Sequence, residues 1–276
     1  MTTGWNDGPT LQSGFGADEV AALIASGPIQ RLTIDGKVLL TKAHARELAA
    51  LPFIDELRVM GEVTRWAMQH VLEIPQLREL DVSRIRRPGR LQGFDTAEHL
   101  RVFREHYGLA ELDILEVARS PGLSELSLHS ARLTHRAFDA LMEMPALQSL
   151  DIEETLFDDA MAASLKRSAT LLHLDAGRTR VTGQGLAAIR ESEQLLSLDL
   201  WCTNIRQAEL NLLRGMPKLE YLSLGCAQDQ YHLHIEGILP ILDELPSLQR
   251  LWLDGIEVPE SIQAELKNRY AYVRIN

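Results

Sequence analysis

Cys202 and Cys226 stand 24 residues apart, and His232, His234 and Glu236 follow close behind the second cysteine. Thiolates and imidazoles are the usual zinc ligands, so these residues are the first whose types could do chemistry. In an extended segment, His232, His234 and Glu236 alternate and would share one side. Neither C-x-x-C nor H-E-x-x-H spacing is present, which argues against a metal centre. A disulfide or redox pair is a second arrangement, given bridgeable geometry and an oxidising history. The third, stacked small residues beside a polar loop, is favoured. A metal- or thiol-dependent activity at Cys202, Cys226, His232, His234 and Glu236 therefore stands as the alternative function.

Other catalytic patterns are missing. There is no G-x-S-x-G elbow and no G-x-G-x-x-G loop, and the acids recur periodically rather than as one pair of distinct protonation tendency. The expectation is no catalytic residue, no metal and no cofactor. The acids and aromatics suggest binding instead. Asp151, Asp175 and Asp199 are spaced by 24 residues, with Glu153 and Asp254 in related positions and Trp201, Tyr221 and Trp252 among them.

That spacing belongs to a repeat. L-x-x-L-x-L begins at Leu123, Leu147, Leu171, Leu195 and Leu219, each 24 residues after the last. Related copies begin at Ile29, Ile54, Leu77 and Leu248, with a degenerate one at Tyr270. Pro52, Pro75, Pro121, Pro145, Pro217 and Pro246 each fall two residues before a copy, where proline ends the preceding helix. Between strand and proline the apolar spacing turns helical, as in Ala137, Leu141 and Met144. One strand-turn-helix unit cannot bury its own stripe, so neighbours must stack.

On these residues the chain resembles the leucine-rich repeat family. Thr179-Arg-Val-Thr-Gly-Gln-Gly-Leu186 is similar to the bacterial 24-residue Thr-x-Ile-Thr-x-x-Gly-Leu class, which includes the GALA repeats. Thr155, Thr179 and Thr203 stand where the usual asparagine would serve the inner turn. The resemblance implies an α/β horseshoe solenoid, with a concave parallel sheet and a helical convex side. It also implies an interaction module rather than a catalyst. No F-box-like segment supports a ubiquitin-ligase adaptor.

The period organises 1–276 as one repeat domain, with an N-terminal cap over 1–28 in which Trp5 is expected to cover the N-terminal edge of the solenoid, and a C-terminal cap over 259–276. It breaks twice. Residues 84–120 form an irregular or inserted region, read as helices over Phe94–His106 and Leu109–Ala118, with a strand near 109 as the alternative. Its opening run, Arg84 to Arg90, reads as a solvated loop, with docking to an acidic partner or phosphate as lesser readings. Residues 225–236 form a rim insertion. Trp66, in a return helix, reads as core or cap packing.

The strand residues between consensus leucines face the concave side. There Asp151, Asp175 and Asp199 form a ladder beside Glu153, where like charges repel. Trp201, Tyr221 and Trp252, with Asp254, have the composition of an interface hot spot, and Tyr231 and His232 could close one side. The chain has 28 Lys plus Arg against 39 Asp plus Glu, a formal net charge of −11. This disfavours nucleic acid and anionic membranes and favours a basic protein partner, such as the target of an effector, a toxin or a regulatory protein. The first residues lack the pattern of a signal peptide, no apolar stretch is long enough to span a bilayer, and two cysteines suit a reducing compartment at least as well as an oxidising one. The expected location is cytoplasmic, with export as a bacterial effector also compatible.

Overall fold

The computed structural model describes residues 8–12, 15–51, 54–86, 90–226 and 233–275. Trp5, Pro52, Tyr231 and His232 lie outside these. Two compact units are present, Met1–Ala131 with Met144–Leu147, and Arg132–Glu143 with Gln148–Asn276.

In the first unit the order is β1 (Thr10–Leu11), α1 (Ala17–Ser26), β2 (Arg31–Ile34), β3 (Leu39–Leu40), α2 (Lys42–Leu48), β4 (Glu56–Thr64), α3 (Arg65–Leu72), β5 (Glu79–Arg86), β6 (Val102–Glu105), α4 (Glu111–Val117) and β7 (Glu125–Leu128). Strands β1, β2, β4, β5, β6 and β7 are parallel neighbours in that order, and β3 pairs with β4. In the second unit the order is α5 (His135–Met142), β8 (Ser149–Asp151), α6 (Asp159–Ala162), β9 (His173–Asp175), α7 (Gly183–Arg190), β10 (Ser197–Asp199), β11 (Tyr221–Leu224), α8 (Ile235–Leu242), β12 (Arg250–Leu253), α9 (Glu260–Arg269) and β13 (Tyr272–Arg274). Its strands β8 to β13 form a parallel run in chain order. Each unit is a parallel α/β solenoid of leucine-rich repeat type, in agreement with the fold class expected from the period.

The consensus leucines cause this arrangement. Leu32, Leu57, Leu80, Leu126, Leu198, Leu222 and Leu251 are fully buried on the inner side of their strands. The return segments close the core with residues such as Ala137, Phe138 and Leu141 of α5. Helices α3, α4, α5 and α8 all end a few residues before their prolines. Strands β7, β8, β9 and β10 then leave the sheet through a left-handed residue, at Ser130, Glu154, Arg178 and Cys202, with φ between 53° and 58°. Thr155, Thr179 and Thr203 follow, and each donates its hydroxyl to the carbonyl three residues back, at 2.7, 2.6 and 2.8 Å. The threonines thus tie each turn within its own repeat.

Three expectations are corrected. Phe94–His106 is not a helix, because it contains strand β6. The missing copy is Leu100-Arg-Val-Phe-Arg-Glu105, lying 23 residues from both Leu77 and Leu123. Glu105 stands where the third apolar residue belongs, yet it is buried; its carboxylate accepts the amides of Ile85 (3.3 Å) and Gly108 (2.9 Å). Burial pushes its pKa up. Arg84 and Arg86 are not loop residues but extend β5, and both lie 3.7 Å from Glu62 on β4. Trp66 is 69% exposed on α3; its neighbour Arg65 is the one turned inward, where it forms a buried pair with Asp113 of α4.

Candidate functional site

In the second unit, the sheet face away from the helices carries residues in columns set by strand register. Asp151, Asp175, Asp199, Ser223, Trp252 and Arg274 face one another in succession across β8 to β13. The adjacent column reads Ser149, His173, Ser197, Tyr221, Arg250 and Tyr272. The aspartates have a structural task that spacing alone did not reveal. Asp151 accepts the amide of Glu153 (3.0 Å), Asp175 that of Gly177 (3.0 Å) and Asp199 that of Trp201 (2.8 Å). Each carboxylate therefore holds the turn two residues on, just before the left-handed residue. The signal for this was the repeated Asp itself, which favours such local turns.

The ladder is half-buried rather than solvated. Burial, reinforced by Asp199 and Asp151, pushes Asp175 up to about 8. Asp199 is also raised, chiefly by burial, although the Trp201 amide and the hydroxyls of Ser223 and Tyr221 pull it back. Two coupled carboxylates in this position hold a proton near neutral pH. The face consequently carries less charge than three aspartates suggest. Tyr221 donates to Asp199 Oδ2 at 3.3 Å, and burial raises its own pKa.

A recess of about 230 Å³ opens on this face. It is lined by Glu153, Asp175, Gly177, Asp199, Trp201, Ser223, Trp252, Asp254 and Arg274. The structure thus brings together the acids and both tryptophans singled out from the sequence. Asp151 and Tyr221 stand beside the recess. Tyr221 meets Trp252 edge-on, with ring centroids 5.4 Å apart. Each aromatic already has a guanidinium over it: Arg178 at 5.4 Å from the Trp201 ring, Arg250 at 5.5 Å from Tyr221 and Arg274 at 4.8 Å from Trp252. Arg274 also pairs with Asp254 Oδ2 at 3.0 Å. Sequence reasoning missed these arginines because none lies in the aspartate column between Asp151 and Asp199. Two buried polar atoms in the lining, Trp201 Nε1 and Asp254 Oδ1, have no hydrogen-bond partner.

Cys202 and Cys226 are joined by a disulfide, with Cα atoms 4.5 Å apart. This overturns the preference for unbonded stacked cysteines, although the parallel register behind that preference is what makes the bond reachable. It also removes the support that the cysteine content lent to a reducing compartment, since disulfides persist where the surroundings oxidise. Gly225, beside the bridge, has φ +107°, and a Cβ there would sit 2.2 Å from the Asp254 carbonyl, so the close approach of β11 and β12 turns needs glycine. His234 and Glu236 do not share an extended segment: His234 is the residue preceding α8 and Glu236 lies in its first turn. Among the described residues no group of three His, Cys, Asp or Glu side chains could hold a metal ion. Both thiols that motivated the metal or thiol reading are thus taken up in the disulfide, and His234 and Glu236 do not alternate on one strand; His232 lies outside the described residues.

The first unit's corresponding face differs in charge. Arg31 pairs with Glu56 at 2.8 Å, Arg58 with Asp81 at 3.5 Å and His106 with Asp81 at 2.8 Å, while Arg104 bridges Glu79 and Glu125. Its carboxylates meet basic side chains across the strands. In the second unit, Asp175 and Asp199 instead accept from backbone amides and hydroxyls.

The fold is that of the α/β leucine-rich repeat solenoids, and solved structures agree in fold. No protein-family model and no curated protein matches the chain. An internalin, InlF of Listeria monocytogenes, is similar at 14% identity and a TM-score of 0.53, covering 94% of this chain and 89% of its own. TLR13, solved in a complex with ssRNA13, is similar at 18% identity and a TM-score of 0.53; the match covers 89% of this chain but only 35% of TLR13. At these identities the likeness is one of fold. Among the described residues no helix is long and apolar enough to cross a membrane.

Proposed function

We propose that the chain is a non-catalytic protein-binding module whose second unit receives a basic protein surface on its open sheet face. Asp151, Glu153 and Asp254, with Asp175 and Asp199 holding a proton between them near neutral pH, supply the negative field, and Trp201, Tyr221 and Trp252 supply apolar anchors. The observation that carries this reading is the acid- and tryptophan-lined recess on a sheet whose other face is committed to the core. Aromatics flanked by polar groups are what interfaces use for affinity, and charge of one sign accelerates encounter with its opposite. The RNA of the TLR13 complex does not carry over, because an acidic face repels phosphate.

Affinity capture tests the reading. Parent protein should retain a specific set of basic partners, and a folded Trp201→Ala, Tyr221→Ala, Trp252→Ala variant should lose them. Retention of every partner by that variant would defeat the proposal. Raising salt should slow association more than it speeds dissociation.

A further inference from the structure

We propose that the recess between Trp201 and Trp252 seats one arginine side chain of the partner, its guanidinium directed at Asp175 and Asp254. The inference rests on the reading of this face as a binding surface for a basic protein.

Size is the first argument. At about 230 Å³ the recess falls below the roughly 300–1,000 Å³ of small-molecule sites, so it suits one inserted side chain rather than a cofactor. Chemistry is the second. Asp175 makes a single hydrogen bond, from Gly177, and Asp254 Oδ1 is buried with none. Both can accept from a donor-rich cation. Trp201 Nε1, also buried without a partner, can donate to the carbonyl that a peptide-borne side chain brings with it. The third argument is the molecule's own behaviour. Arg274 lies over Trp252 while paired with Asp254, and Arg178 lies over Trp201 while paired with Glu154 at 3.0 Å. The same planar group, lying over an indole and paired with a carboxylate, is thus already accommodated twice at this face. A guanidinium satisfies both demands at once, whereas an ammonium is a compact point charge without a stacking plane.

Acetyl-Gly-Arg-Gly-amide, its lysine counterpart and its citrulline counterpart can be titrated against the whole chain, with the indole N–H resonances of Trp201 and Trp252 as the readout. The arginine peptide should shift both resonances saturably, and the neutral citrulline peptide should bind roughly tenfold more weakly or worse. Gly177→Leu should abolish the shifts, because even a Cβ at Gly177 would come within 3.2 Å of Asp175 Oδ1 and project into the recess. At pH 9, where Asp175 with its pKa of about 8 is ionised, Asp175→Asn keeps the side-chain shape and should weaken the arginine peptide roughly fivefold. Equal binding of citrulline and arginine, a lysine peptide that binds as well, or a full response in folded Asp175→Asn would each overturn the assignment. If the peptide fails while the triple aromatic variant still loses its partners, the arginine pocket is wrong and the binding face stands. If the peptide binds but capture is unaffected by the triple variant, the reverse holds.

Discussion

Asp175 carries an acid whose folded-state pKa, about 8, lies far above its ordinary value of 3.8. The folded chain therefore holds this proton more tightly than the unfolded chain does. Its contribution to stability is complete below about pH 4 and is lost as pH climbs through the window to about 8. Asp175→Asn should remove that loss while keeping an oxygen for the Gly177 amide. Its melting temperature should exceed the parent's by about 5 °C at pH 8 and match it near pH 4, as followed by circular dichroism. A parent-like melting temperature at pH 8 would mean that the ladder is solvated after all. Glu105 is likewise raised by burial, but its carboxylate is needed by two amides. Glu105→Ala should cost about 1–3 kcal/mol in urea unfolding by stranding the Ile85 and Gly108 N–H groups, and Glu105→Gln should recover most of it. Which residues share the open face was legible from spacing alone. The amide partners of the aspartates, the proton they hold and the arginines over the rings were not, because each depends on turn geometry or on how a long side chain folds across its neighbours, which spacing does not report.

At the level of elements, the period revealed nearly every strand and the ends of the helices, because leucine at fixed intervals and proline before each strand report burial and helix termination directly. It failed at β6. There Phe103 replaces leucine and Glu105 replaces the third apolar residue, so a rule based on hydrophobicity passes over a strand whose polar group is satisfied by backbone. Phe103 meets Phe94 at 5.1 Å in the core, and this pairing takes the place of the leucine contacts. The turns offer a second test. Thr179 lies buried with its hydroxyl 2.6 Å from the Ala176 carbonyl, and Thr179→Val should cost about 1 kcal/mol in the same unfolding measurement. The turns of β10 and β11 are also bridged covalently. Replacing both Cys202 and Cys226 by serine should lower stability by about 3 kcal/mol, and reductant should have the same effect on the parent but none on the variant. No response to reductant would show the bridge to be open in solution.

On the scale of the whole chain, a formal charge of −11 becomes a matter of distribution. The first unit spends its face carboxylates on cross-strand cations, and the second directs part of its own to turns and a recess. Stacked repeats also touch only their neighbours, so opening need not be all-or-none. In the second unit, fraying that enters at β13 and β12 can proceed inward strand by strand, but the Cys202–Cys226 bridge clamps the β10 and β11 turns together. Native-state hydrogen exchange should then show a step, with β12 and β13 amides exchanging through local opening and β9 and β10 amides only through the global event. Reduction should move that step inward. The disulfide thus sets how far the end of the binding face can peel back while the rest of the unit stays folded.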